Sequence, residues 1–155
     1  MLNQKLVFHV VIYESGFNCF VLSPSQIVLE EFMHVWCKQH GLRLIAISIQ
    51  DDHLHLLLEQ LNESSIQRTV SRLVTELRHW PDMRPPGGAS FGFALFTVSF
   101  SMLDKLIHFV QAQDQHHQDV SLEEELTSLV DKNDVENYEL PKAEASIQRR
   151  KRIFA

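Results

Sequence analysis

The sequence predicts an α+β domain of the ferredoxin-like or RRM-like class, with an antiparallel sheet, helices on one face and additional C-terminal helices. Runs rich in β-branched and aromatic residues alternate with helical patterns in the order β-α-β-β-α-β. Asp51 and Asp52 alone separate the second and third strand-like runs, and so short a connection is typical of a hairpin. No internal repeat interrupts this order.

The composition is that of one globular domain followed by a polar tail. The chain has 155 residues, of which 45% are hydrophobic, and we assign residues 1–134 to the domain and 135–155 to a polar, basic tail. The formal net charge of −6 confines any nucleic-acid binding to a local basic patch. Cysteines without metal-ligand spacing, no signal peptide and no long apolar run lead us to expect a cytoplasmic protein without a membrane partner.

The first half of the chain supplies three strands and one helix. Residues 6–13 are rich in β-branched and aromatic side chains and predict the first strand. A Ser-Pro-Ser start and a glycine C-cap bound a helix at residues 24–40. Residues 42–50 and 53–60 predict the hairpin strands. The apolar residues with helical spacing in the first helix are Ile27, Val28, Phe32, Val35 and Trp36.

The second half continues with a helix, a strand and two more helices. A second helix is predicted at residues 64–80, and the Pro- and Gly-rich residues 81–88 predict a loop. Residues 93–100 predict the fourth strand, 102–117 a third helix and 123–131 a short acidic helix. The apolar stripe of the second helix consists of Ile66, Val70, Leu73, Val74 and Leu77.

Two histidines on the third strand are the first candidate for chemistry. His53 and His55 are separated by one residue, so alternation along a strand places both imidazoles on one face. If Leu54 and Leu56 face the helix layer, the histidines face the open side of the sheet. His9 on the first strand is expected to be an ordinary core or sheet-face histidine.

The third helix offers partners for this pair. Phe109, Gln113 and His117 are spaced four residues apart and therefore share one helix face. Gln113 brings an amide oxygen and His117 an imidazole. Two histidines, one oxygen ligand and open positions suit a catalytic divalent ion. On pattern alone, a histidine pair at strand spacing is more often plain surface.

Residues 52–59 (DHLHLLLE) resemble the histidine–hydrophobic–histidine signature of the HUH endonucleases. The resemblance is narrower to the single-tyrosine transposases of insertion sequences and to their relatives associated with repetitive extragenic palindromes. It extends over residues 5–134. Four further segments agree with that family in order and spacing: residues 8–11, 92–99, 107–117 and 121–126.

The resemblance implies a DNA-cleaving chemistry for which this chain lacks one group, the tyrosine hydroxyl. In the family, a tyrosine hydroxyl attacks a DNA phosphodiester, and two histidines and a glutamine hold Mg²⁺ or Mn²⁺. Carried over, His53, His55 and Gln113 are the metal ligands and His117 is a possible additional ligand. The tyrosine position is Phe109, which has no hydroxyl and cannot form the covalent intermediate. The change is either natural, in a relative that binds without cutting, or deliberate, made to trap a DNA complex.

Three functions follow, and whether any enzymatic activity remains stays open. The first is a transposase-like protein that binds single-stranded or hairpin DNA, as a homodimer by resemblance, with cleavage impaired. The second is a non-catalytic ferredoxin-like interaction module without a nucleic-acid role, which the acidic net charge favours. The third is a hydrolase that uses a metal-bound water, with His117 as its base. The candidate phosphate contacts are Arg68, Arg72, Arg78, Arg84 and the basic cluster at residues 149–152.

Overall fold

A computed structural model describes residues 5–21, 25–80 and 90–133, and the predicted order of elements is confirmed there. The predicted loop at 81–88 lies outside the described residues, and so does the whole tail at 135–155. None of the described helices is long and apolar enough to cross a membrane. The elements are β1 (Leu6–Glu14), α1 (Gln26–Gln39), β2 (Leu42–Ile49), β3 (His53–Gln60), α2 (Ile66–Arg78), β4 (Phe91–Val98), a 3-10 turn (Phe100–Met102), α3 (Leu103–Gln111), α4 (Gln113–Asp119) and α5 (Leu122–Lys132).

The four strands form one antiparallel sheet in the order β2-β3-β1-β4. This is the strand order of a ferredoxin-like domain, so the predicted fold class is confirmed. The central strands β1 and β3 pair so that Tyr13 lies opposite His53 and Val11 lies opposite His55. The two histidines therefore sit in the middle of the sheet, on a strand bonded on both sides.

Helices cover both faces of the sheet. On one face, α1 and α2 pack on alternate residues of β1 and β3, with Val10, Leu54 and Leu56 completely buried. On the other face, α5 packs its leucines on β1 and β4, and α3 packs Val110 near Leu57. The sequence prediction of an open face beside His53 and His55 is therefore wrong. The C-terminal helices cover that side of the sheet.

The rotation of α1 differs from the sequence prediction. Ile27, Val28 and Val35 were placed in the buried stripe, but they are 72%, 54% and 57% exposed. The residues that α1 buries are Leu29, Met33, Trp36 and Cys37. Both sets have helical spacing, because this helix is apolar around much of its circumference. A hydrogen bond from Trp36 Nε1 to Glu76 Oε2 (2.5 Å) joins α1 to α2 in the observed rotation.

The predicted third helix is interrupted. It consists of α3 and α4, which meet at Ala112, where φ is −96° and ψ is 19°. The last helix has the capping box that its sequence allows. The Ser121 hydroxyl accepts from the Glu124 backbone N–H, and the Glu124 carboxylate accepts from the Ser121 N–H. This box determines where α5 starts and hence which of its residues face the sheet.

The rotation of α1 is tested by truncating two adjacent residues. Leu29→Ala removes a completely buried side chain and is expected to lower the free energy of unfolding by about 2–5 kcal/mol. Val28→Ala removes an exposed one and is expected to change it by about 0.5 kcal/mol or less. Urea denaturation of both variants measures the difference. A larger loss for Val28→Ala than for Leu29→Ala would support the rotation expected from sequence.

Candidate metal centre

Five polar side chains from three elements meet between the sheet and the C-terminal helices. His53 and His55 come from β3, Gln113 and His117 from α4, and Glu125 from α5. All except His117 are buried among the described residues, although each carries a strongly polar group. The structure thus brings together the predicted His53, His55, Gln113 and His117, and adds a carboxylate that the sequence reasoning did not assign.

The polar atoms of this cluster lie close together. The Glu125 carboxylate places Oε1 2.6 Å from His55 Nε2 and Oε2 2.6 Å from His117 Nε2. The amide oxygen of Gln113 lies 2.8 Å from His117 Nε2 and 3.2 Å from His53 Nε2. One ligand atom from each histidine and from Glu125 can be chosen so that all four lie within 4.8 Å of one another. That spacing is small enough for one ion to contact them all.

Neighbouring groups orient two of the imidazoles. His53 Nδ1 lies 2.6 Å from Asp52 Oδ1, and His117 Nδ1 lies 2.7 Å from the carbonyl oxygen of Val120. A carboxylate and a carbonyl only accept hydrogen bonds, so Nδ1 of each ring carries a proton. When these two rings are neutral, Nε2 of each carries a lone pair that is directed at the cluster. Such outer hydrogen bonds are usual for metal-binding histidines.

The amide of Gln113 is oriented in the same way. Its Nε2 donates to the carbonyl oxygen of Phe109 at 3.3 Å, one helical turn earlier. The amide oxygen must therefore face the histidines. Because the interruption at Ala112 leaves this contact intact, the predicted proximity of Phe109 and Gln113 holds across the two helices.

When neutral His55 donates its Nδ1 proton to His9, the cluster consists of acceptors with no donor among them. His55 Nε2 and both Glu125 carboxylate oxygens are buried and make no hydrogen bond in the described structure, despite their short separations. Buried acceptors without partners are unfavourable. A divalent cation would satisfy all of them at once, so these residues fit a metal ion by their chemistry as well as by their spacing.

The electrostatics favour a charged Glu125 carboxylate beside a neutral His55 ring. Burial alone would raise the pKa of Glu125, but the close contact with His55 and the charges of His55, His53 and His117 lower it overall. Burial lowers the pKa of His55 more than Glu125 raises it. His55 is therefore a poor source of a compensating proton for Glu125 at neutral pH, whereas a bound metal ion would supply positive charge directly.

His9 stands behind the cluster on β1. As predicted, it is buried on the sheet face, but it also contacts a site residue: His9 Nε2 lies 2.8 Å from His55 Nδ1. Burial and the charge of His55 lower the pKa of His9 to about 3, against an opposing effect of Glu125. His9 is thus neutral at physiological pH and serves as a hydrogen-bond partner.

Phe109 borders the cluster from α3. Its ring centroid lies 5.6 Å from that of His55 and 5.1 Å from that of His116. The same ring lines a cavity of about 500 Å³ that also contains Lys105 and Lys132. The residue at the tyrosine position thus separates the metal cluster from this cavity.

The predicted arginine contacts lie elsewhere. Arg68 and Arg72 line a separate polar cavity of about 340 Å³ with His40, on the α1–α2 side of the sheet. Arg78 is exposed at the end of α2. The structure does not bring these residues to the metal cluster. Arg84 and the basic cluster at 149–152 lie outside the described residues.

Glu125 was missed although its sequence position carried a signal. The buried stripe of α5 is Leu122, Leu126 and Leu129, and Glu125 lies three residues after the first and four before the last. It therefore falls on the apolar face of the helix. A lone acid inside such a stripe predicts a buried partner of opposite charge.

Comparison with known proteins identifies relatives for the first half of the chain. The model of a family described as "Transposase IS200 like" matches residues 4–86, just over half of the chain, including His53 and His55 but ending before Phe109. Among solved structures, eight chains match significantly. One is a crystal structure from Deinococcus radiodurans R1 with a provisional transposase designation, 19% identical over 72% of this chain and 93% of that chain, with a TM-score of 0.45. No curated protein matches significantly.

Two adjacent aspartates test the outer hydrogen bonds of the cluster. Asp52→Ala removes the acceptor that orients His53 and is expected to weaken Mn²⁺ binding by about 10- to 100-fold. Asp51→Ala changes an exposed side chain of the same turn and is expected to leave Mn²⁺ affinity unchanged. Isothermal titration calorimetry measures both. Equal affinities for the two variants would mean that Asp52 does not orient a metal ligand.

Proposed function

Since the chain belongs to the IS200-like transposase family, we propose that it is a cytoplasmic, transposase-like protein that binds single-stranded or hairpin DNA without cutting it through a tyrosine. The observation that carries this proposal is Phe109, which borders the metal cluster at the position where the resemblance requires the nucleophile. The cluster thus keeps its candidate metal ligands, while the group that would attack DNA is absent.

The phenyl ring of Phe109 has no oxygen to attack phosphorus, so no phosphotyrosine can form at this position. Tyr13 lies opposite His53 in the sheet, but it is 1% exposed and its ring stacks on Phe17. DNA does not reach a hydroxyl packed in this way. The chain's second tyrosine, Tyr138, lies outside the described residues.

The proposed metal ligands include His53, His55 and Gln113, with His117 as an additional one. The resemblance implies Mg²⁺ or Mn²⁺, and when bound such an ion would polarise a phosphate oxygen. Imidazole nitrogens suit Mn²⁺ better than Mg²⁺, which prefers oxygen ligands. The residues of the chain hold the rings in place through Asp52, the Val120 carbonyl and His9.

The cavity beside Phe109 supports binding of a single strand. Its wall combines the cations of Lys105 and Lys132 with the apolar side chains of Met102 and Leu106. Lysines attract phosphates, and apolar or aromatic walls accommodate unstacked bases. We place the DNA strand here, next to the metal cluster, and treat Arg68, Arg72, Arg78 and Arg84 as more distant phosphate contacts. A homodimer, implied by the resemblance, would bring a second such cavity into the assembly.

A second candidate function is the non-catalytic interaction module. The net charge of −6 favours it, and so do the exposed apolar residues Ile27, Val28 and Val35 on α1. This candidate requires no DNA, and a direct DNA titration separates the two.

The DNA titration uses a fluorescent hairpin with a single-stranded extension, followed by anisotropy at several salt concentrations. We expect saturable binding that weakens with salt, and a log–log salt slope that falls by about 0.7 for each phosphate contact removed. Lys105→Gln combined with Lys132→Gln should weaken binding, whereas Lys38→Gln on α1 should not. Flat curves for the wild-type protein at low salt would favour the interaction module.

The missing nucleophile is tested with the same hairpin and Mn²⁺. Wild-type protein is expected to form no covalent DNA adduct on a denaturing gel, because Phe109 lacks the hydroxyl. Phe109→Tyr supplies it and is expected to produce a protein–DNA band. An adduct formed by the wild-type protein would contradict the proposal. Chelator-sensitive cleavage without an adduct would instead indicate the hydrolase with a metal-bound water.

A further inference from the structure

We infer that Glu125 is itself a metal ligand, and that the bound ion joins α5 to the sheet through His55 and to α4 through His117. The inference extends the ligand set of two histidines and a glutamine that the resemblance implies. It concerns metal binding and the stability of the C-terminal helices, and does not depend on whether the protein binds DNA.

The Glu125 carboxylate occupies a buried position on the apolar face of α5. Glu125 projects from the apolar stripe of α5 into the space below the sheet and is 3% exposed. Both of its oxygens are buried without a hydrogen bond, yet each lies 2.6 Å from Nε2 of a different histidine. Within residues 5–21, 25–80 and 90–133, the cationic partners that reach it are imidazoles, with no lysine or arginine among them. A carboxylate so placed is strongly unfavourable without a positive partner.

The imidazole lone pairs point toward the Glu125 carboxylate. The proton on Nδ1 of His117 is committed to the Val120 carbonyl, so Nε2 of the neutral ring offers Glu125 no hydrogen. Two lone pairs 2.6 Å apart repel each other unless a cation lies between or beside them. The same holds for His55 when its Nδ1 donates to His9. The geometry is that of ligands arranged around a shared positive charge.

The donor set also selects the class of metal. Three imidazole nitrogens, a carboxylate and the Gln113 amide suit divalent ions of the first transition row, such as Mn²⁺, Co²⁺ and Zn²⁺. Mg²⁺ prefers oxygen ligands and gives up its waters reluctantly. Binding of these transition ions should therefore be far stronger than binding of Mg²⁺.

An ion held in this way would link β3, α4 and α5. The α5 helix otherwise rests on the sheet through Leu122, Leu126 and Leu129. Because the complete ligand set exists only in the folded chain, metal binding stabilises the folded state by mass action. The C-terminal helices are expected to gain most of that protection.

The experiment titrates the full chain with MnCl₂, ZnCl₂ and MgCl₂ by calorimetry and thermal unfolding, without DNA. When the free Mn²⁺ concentration is about one hundred times its Kd, we expect the ion to raise the Tm by about 5–10 °C. Glu125→Gln keeps the shape of the side chain but removes its charge, and should weaken Mn²⁺ binding at least 10-fold.

Glu59→Gln is the matched control. Glu59 is another buried glutamate, on β3, but it pairs with Arg43 and lies at the far end of the strand from His53. Its replacement should leave Mn²⁺ affinity within about twofold. Hydrogen exchange supplies a local measurement: Mn²⁺ should slow exchange in α5 in the wild type and not in Glu125→Gln.

Three outcomes would overturn the inference: Glu125→Gln binding Mn²⁺ as tightly as the wild type, the metal-free variant losing stability while its metal-induced Tm rise persists, or Mg²⁺ matching Mn²⁺ in affinity. Circular dichroism of Glu125→Gln verifies that the variant is folded. A negative result in the metal titration would not change the outcome of the DNA titration, so the two proposals are tested independently.

Discussion

The buried group of acceptors between the sheet and the C-terminal helices is the constraint on which this side of the molecule depends. Each ring or amide is held by a group outside the cluster: Asp52, the Val120 carbonyl and His9 for the three histidines, and the Phe109 carbonyl for Gln113. These outer contacts use up the donors and leave lone pairs facing inward. Lone pairs packed against a buried carboxylate are unfavourable, and positive charge brought to the cluster would offset that cost.

Much of this arrangement was predictable from sequence, because alternation along a strand and four-residue spacing along a helix are local rules. They placed His53 and His55 on one face and Gln113 near Phe109. The rotation of α1 was not predictable, since its apolar residues spread over more than one face and offer two sets with helical spacing. Glu125 was missed because its partners come from other elements, and only tertiary packing brings it to the histidines.

The family relationship and the site cover different parts of the chain. The family match includes the histidine strand but ends before the C-terminal helices, which carry Phe109 on α3 and the remaining candidate ligands on α4 and α5. The proposed loss of tyrosine chemistry therefore depends on the resemblance of the segment around Phe109 and on the place of this ring beside the cluster, and not on the family match. The candidate metal ligands are nevertheless assembled beside Phe109.

The pairing of β3 in the centre of the sheet makes the site and the main core inseparable. Leu54 and Leu56 enter the core under α1 and α2, while His53 and His55, alternating with them, enter the cluster. An insertion or deletion that shifts the register of β3 by one residue would turn every side chain of the strand to the opposite face of the sheet. The imidazoles would then enter the hydrophobic core, and the leucines would enter the acceptor cluster. Single-residue insertions and deletions at this turn are therefore expected to disrupt the core and the cluster together, whereas a substitution that keeps the register need affect only one of them.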